Sequence, residues 1–318
     1  MIATVLSSLL PIFLIIGLGA VLRTSQFMPP GFFAGLNRLA FYVGLPVLLF
    51  SRIATSTIES GPALRILWVL LAATALVVAL AYVCARRLRL DGGGRGAFVQ
   101  AALRGNLAYI GLPVILYAMA GDSPAASQIE TTAMLVLAPL VPIYNIVSII
   151  VLTKAANHPE DRPGAMALLG RILGNPLLVA CLLGLAVAVA GISLPSFLLR
   201  TMRPLGQMAL PLALLAIGAA LTRESLRGRF APSFAASVLK VVAAPALGWL
   251  LGRLFSLPAD ELRMAMIFLA CPTAVTSYVM AQQLGGDEGL AGSSVVLSTL
   301  LSFFALTAVL LLPLSWLG

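Results

Sequence analysis

The chain reads as a succession of apolar runs of about 20 residues separated by short polar connections. A helix rising 1.5 Å per residue needs about that length to cross roughly 30 Å of hydrocarbon. Ten runs are expected as spans, at about 3–22, 31–53, 64–86, 97–120, 128–152, 172–191, 197–221, 230–253, 260–284 and 288–316. The first has no basic residue ahead of it and is too long for a signal peptide, so it reads as a permanent span. The longest polar stretch, 153–171, carries two prolines and reads as a linker between a first unit, 1–152, and a second, 172–318.

These two units align with each other without gaps at an offset of 165 residues. Pro11 falls on Pro176, Gly19 on Gly184, Pro30 on Pro195, Arg38 on Arg203, Leu45-Pro46 on Leu210-Pro211, Glu59-Ser60 on Glu224-Ser225, and Gly121-Asp122 on Gly286-Asp287. Leu and Ala matches carry little weight in so apolar a chain, but coincident prolines and polar residues carry more. Each copy is five spans long, and an odd number of spans inverts the second copy relative to the first. Inverted repeats are a signature of secondary transporters.

Composition agrees with a membrane class. Hydrophobic residues make up 60% and charged residues 10%, more apolar surface than a soluble domain can bury. The net charge of +9 does not read as a nucleic-acid surface, because the basic residues sit in the short connections. Odd-numbered connections hold Arg23, Arg86, Arg87, Arg89, Arg95, Lys154, Arg162, Arg171, Arg223, Arg227 and Arg229; even-numbered ones hold Arg52, Arg65, Arg200, Arg253 and Arg263. The excess on the odd side places it in the cytoplasm and both termini outside. Cys84, Cys181 and Cys271 lie inside apolar runs at no metal spacing, and no cofactor is expected.

Two runs differ from the rest. The fourth contains Arg104-Gly105-Asn106-Leu-Ala-Tyr109-Ile-Gly111-Leu-Pro113, and the ninth contains Cys271-Pro272-Thr273-Ala-Val-Thr276-Ser277-Tyr278-Val-Met-Ala-Gln282-Gln283. Both combine helix breakers with polar groups at mid-depth. Proline frees a backbone carbonyl, which membranes tolerate only where it faces protein or water. Corresponding interruptions in two halves point to a transport site.

The stretch Gly35-Leu-Asn37-Arg38-Leu-Ala-Phe41-Tyr42-Val-Gly-Leu-Pro46-Val-Leu-Leu-Phe50 resembles span 2 of the auxin efflux carrier family. Asn106-Leu-Ala-Tyr-Ile-Gly111-Leu-Pro113 resembles its span 4, and Pro272-Thr-Ala-Val-Thr-Ser-Tyr278-Val-Met-Ala281 its span 9, with Thr276 where bacterial members often have asparagine. The resemblance implies an all-α membrane protein of ten transmembrane helices in two inverted five-helix repeats, similar to the bile-acid symporter and sodium/proton antiporter folds, with spans 4 and 9 broken and crossed. It also implies a scaffold of spans 1, 2, 6 and 7, a transport domain of the other six, and transport of organic anions: auxin in plants, malonate or malate in bacteria. The expected location is a bacterial inner membrane.

At such a crossing, helix starts offer unpaired N–H groups and partial positive charge, which suit a carboxylate. Asn106, Thr276 and Ser277 add side-chain donors, Tyr109, Tyr278 and Gln282 are further contacts, and Gly111, Pro113, Pro272 and Thr273 complete the expected substrate-binding set. Arg104 and Lys240 are charged residues within spans and are candidates for a charge role. Asn37, Tyr42, Tyr144, Asn145 and Gln207 are weaker candidates, better read as packing, and His158 reads as a solvated linker residue. No Asp or Glu falls at mid-depth; Glu130 is near one end of span 5. That argues for an anion or a neutral solute and against cation exchange.

A sodium-coupled symporter of the bile-acid type is the runner-up, but it needs acidic residues beside the crossing. A passive channel needs a continuously polar pore. An enzyme needs a motif such as HExxH or GxSxG, or paired carboxylates, and the spans offer none. The expected partners are a small organic anion and the lipid bilayer, not nucleic acid, and an exposed scaffold face would suit a homodimer.

Overall fold

The computed structural model describes residues 2–29, 31–55, 60–120, 126–155, 174, 176–222 and 230–316. Most of the 153–171 linker, His158 included, lies outside the described residues. Twelve helical segments order the described chain: α1 (Ile2–Thr24), α2 (Phe32–Ala54), α3 (Ser60–Arg87), α4 (Gly92–Leu103), α5 (Leu107–Ala120), α6 (Ala126–Ala155), α7 (Pro176–Val189), α8 (Ser196–Leu221), α9 (Phe230–Leu254), α10 (Ala259–Ala270), α11 (Thr276–Gln283) and α12 (Glu288–Leu311). Among the described residues there is no strand, only one isolated antiparallel bridge. Six helices, α2, α3, α6, α8, α9 and α12, are long and apolar enough to cross a membrane.

Local chemistry explains where several boundaries depart from the hydropathy reading. The helix α4 starts at Gly92 rather than near 97, because the Asp91 side chain accepts from the Gly94 N–H at 2.9 Å and caps it. Asp287 does the same for α12 through the Leu290 N–H at 2.9 Å. At its far end α12 stops at Leu311 instead of continuing to 316, just before Pro313, which disfavours helical backbone in the residue preceding it.

Prolines also mark three of the four widened turns among the described residues, Leu116–Ala120 being the other. Ala40–Gly44, Leu107–Gly111 and Leu239–Ala243 are π-helical, and each ends two residues before a proline: Pro46, Pro113 and Pro245. The Leu45, Leu112 and Ala244 N–H groups donate five residues back, to the Ala40, Leu107 and Leu239 carbonyls. A proline ring clashes with the carbonyl four residues earlier, and one inserted residue relieves that clash without breaking the helix.

Packing divides the helices into two groups. The helices α1, α2, α7 and α8 pack on one another, through the pairs α1–α8, α2–α7 and α2–α8. The remainder form a second bundle around α3, α4, α6, α9, α10 and α12. Small residues let the first group close up. A Cβ on Gly19 of α1 would collide with the Leu215 carbonyl of α8, and one on Gly184 of α7 would lie 3.0 Å from the Phe50 carbonyl of α2. Subtracting 165 from Leu215 and Gly184 gives positions 50 and 19, so the two contacts join the same two positions of the 165-residue alignment.

Candidate functional site

Two chain interruptions meet inside the second bundle. The helix α4 ends at Leu103 because Gly105 is a poor helix residue, and Arg104 and Asn106 are non-helical. The helix α10 ends at Ala270 because Pro272 forces the residue before it into extended backbone, and Cys271 has ψ 141°. The freed backbones satisfy each other. The Asn106 N–H donates to the Pro272 carbonyl at 2.7 Å and the Ala274 N–H to the Arg104 carbonyl at 3.0 Å, bridging Gly105 to Thr273. The Thr273 hydroxyl donates to the Ala101 carbonyl at 2.8 Å, and its N–H donates to Ser298 Oγ at 3.0 Å. This is how irregular backbone survives away from water.

Four helix ends converge there. The helices α5 and α11 begin at the crossing and bring partial positive charge; α4 and α10 end there and bring partial negative charge. A buried cation answers each negative end. Lys240 of α9 donates from Nζ to the Leu269 carbonyl, in the last turn of α10, at 2.9 Å. Arg104, just past α4, donates to Asn145 Oδ1 at 2.5 Å and to Ser277 Oγ at 3.4 Å. Among the described residues no carboxylate pairs with either cation.

Two cavities flank the crossing. The larger, about 880 Å³, is lined by Asn37, Arg38, Tyr42, Arg104, Asn106, Tyr109, Tyr144, Asn145, Thr276 and Gln283 among others. The smaller, about 450 Å³, is lined by Arg23, Asn37, Asn106, Tyr109, Thr276, Tyr278 and Gln282 among others. Asn37, Asn106, Tyr109, Ala274, Thr276 and Val279 face both. The linings run from the crossing toward Arg23 at the end of α1 and Gln283 at the end of α11, the side of the odd-numbered connections.

Several residues expected at the site therefore do line a cavity: Asn106, Tyr109, Thr276, Tyr278, Gln282 and Arg104. The Asn106 side chain makes no capping bond to α5. Ser277 is buried beside them and receives the Arg104 contact. Contrary to the expectation of substrate contact, Gly111, Pro113, Pro272 and Thr273 lie outside both linings: Pro272 and Thr273 form the break between α10 and α11, while Gly111 and Pro113 lie within α5. A Cβ on Gly111 would come within 2.9 Å of Phe268 and of Cys271 Sγ, so the glycine lets α5 sit against α10. Lys240 also lies outside the linings, fully buried behind the crossing. Arg38 was not singled out by chemistry, and Asn37 and Asn145 looked like packing residues. The repeated Arg38/Arg203 position was the available signal for Arg38.

A helical membrane protein in which interrupted helices meet between cavities with a few polar lining residues has the features expected of a transporter. The chain belongs to the membrane transport protein family, the auxin efflux carrier family, whose pattern it matches over residues 4–310. It is 26% identical over 326 residues to a protein of Rhizobium meliloti (strain 1021) named "Putative malonate transporter", an alignment that takes in 98% of this chain and 96% of that one. It is 21% identical over 277 residues, 85% of this chain and 86% of the other, to an uncharacterized transporter of Methanocaldococcus jannaschii. An uncharacterized transporter of Methanothermobacter thermautotrophicus is 23% identical over 301 residues, covering 94% and 95%. Family and names alike point to transport rather than catalysis.

Proposed function

We propose that this protein carries small organic anions, carboxylates of the size of malonate or malate, across a bacterial inner membrane by alternating access. The chain is taken as two inverted five-span repeats, 1–152 and 172–318, joined by a cytoplasmic linker, with both termini outside. The observation that carries the reading is Arg104, a buried cation that lines the larger cavity at the crossing with no carboxylate partner among the described residues. A buried charge without a counter-ion is costly. An anionic substrate in the larger cavity supplies the missing charge to Arg104.

The roles follow from position. Arg104 attracts the carboxylate, held in aim by Asn145 and Ser277. Asn106 and Thr276 donate from the wall that the two cavities share, and the starts of α5 and α11 add N–H groups and dipole. Tyr109, which faces both cavities, packs on the rest of the solute, and Tyr278 and Gln282 line the smaller cavity beside it. Lys240 holds the end of α10 in place. The bundle carrying the crossing moves against α1, α2, α7 and α8 to change the open side. The malonate name borne by the Rhizobium relative supports the choice of a dicarboxylate.

The test is uptake of labelled malonate by the purified protein in liposomes. Saturable uptake above that of empty liposomes is expected. Uptake no faster than in empty liposomes, for malonate, malate and an aromatic acetic acid alike, would overturn the reading.

A further inference from the structure

We propose that Arg203, with Arg200 and Gln207, forms a second carboxylate-receiving stripe on α8, which meets the anion when the site opens toward the even-numbered connections. The inference rests on the transport reading above.

The argument starts from residues that exchange places between the copies. Arg38 lies 165 residues before Arg203, and Tyr42 the same distance before Gln207. Arg38 and Tyr42 are exposed and line the larger cavity, which opens on the odd-connection side. Arg203 and Gln207 are exposed in the same way, and Arg200 extends their face by one turn. Gly44 and Ala209, also 165 apart, are both buried and touch each other, so the register of α2 and α8 is matched in space as well as in sequence. If the halves are inverted, the stripe that serves the odd side in α2 has its counterpart on the even side in α8.

Arg200 and Arg203 form no ion pair with a described residue, and they line neither of the two cavities at the crossing. Arg203 stands seven residues into α8, roughly 10 Å along its axis from Ser196. An exposed guanidinium at that depth is unfavourable against hydrocarbon. Snorkelling of a lipid-facing arginine is the competing account. A water-filled cavity in the opposite conformation removes the difficulty and gives the arginine a ligand of the right charge.

Vesicles of both orientations separate the accounts. With malonate as probe, Arg203→Gln should raise the KM for uptake from the even-connection face about tenfold, the size of one lost charge-assisted contact, and leave the other face unchanged. Arg38→Gln should do the reverse, and Arg203→Lys should recover part of the loss. Equal KM on both faces for Arg203→Gln, with Arg38→Gln still one-sided, would overturn the stripe and leave the transport reading standing. Failure of the unsubstituted protein to move malonate would count against that reading alone. A second readout needs no transport: Arg203→Cys in a background with Cys84, Cys181 and Cys271 changed to Ser. A thiol that reacts with a membrane-impermeant reagent from the even-connection face supports the stripe. Reaction confined to a membrane-permeant reagent places residue 203 in lipid and overturns it.

Discussion

Gly44 of α2 packs directly against Ala209 of α8: a Cβ on the glycine would stand 2.8 Å from the Ala209 Cβ. The two residues are 165 positions apart, the offset at which the halves of the chain align. A residue that touches its own equivalent lies where a two-fold axis between repeats would pass. The contact therefore joins the sequence repeat to the packing of α1, α2, α7 and α8.

Gly44→Val should lower stability by about 1–3 kcal/mol, the usual cost of overpacking, because backbone stands on the other side of the contact. Gly17→Ala, on a helix face with nothing within 4 Å, should be neutral or slightly stabilising. Thermal unfolding in detergent compares the two. Equal effects would remove Gly44 from the tight contact.

Thr273→Val should weaken the crossing, since it removes the hydroxyl bonded to the Ala101 carbonyl and leaves that buried acceptor unpaired. A loss of about 1–3 kcal/mol is expected. Transport should fall with it, although Thr273 lines neither cavity. Full activity with full stability would show that the bond does not hold the crossing.

Arg104→Lys keeps the charge but cannot span Asn145 and Ser277 with a planar fork. The KM for malonate should rise about tenfold, with a smaller rise for Asn145→Ala. An unchanged KM in both variants would mean that the anion does not meet this guanidinium.

Both ion pairs among the described residues sit at the end opposite the cavities: Arg52 with Glu130 at 3.0 Å, and Arg65 with Glu261. The first joins α2 to α6 and so ties the two helix groups together. The contact is ionic and not aligned as a hydrogen bond, and the Arg52 side chain is half exposed, so the pair is worth about 0.2–1 kcal/mol. Glu130→Gln should shift the balance toward opening at that end by about fivefold at most. Thiol labelling of residue 203 from that face, in the cysteine-free background, should quicken accordingly. No change would place the closing contacts elsewhere.

Much of the arrangement was legible because rare residues do rare jobs. Pro272 and Gly105 announced the two breaks, and the run lengths announced the six membrane-length helices among the described residues. The register of the crossing was not legible. Alignment at 165 puts Asn106 on Cys271, whereas Gly105 pairs with Thr273, because the extended segments choose their hydrogen bonds and not their place in a repeat. The partner of Arg104 was hidden for a related reason. Asn145 lies on α6, 41 residues away, and nothing in the local pattern of an apolar helix says which face meets a break in another. Arg38 lines the larger cavity, and nothing in the local sequence of α2 says that its face meets a cavity.

Counterflow tests the central claim most directly. Liposomes carrying the protein, loaded with unlabelled malonate and diluted into labelled malonate, should accumulate label transiently above equilibrium, and Asn106→Ala should abolish the overshoot while folding normally. Label that only equilibrates, or an overshoot undiminished in Asn106→Ala, would contradict a carrier whose anion site lies where the two interrupted helices meet.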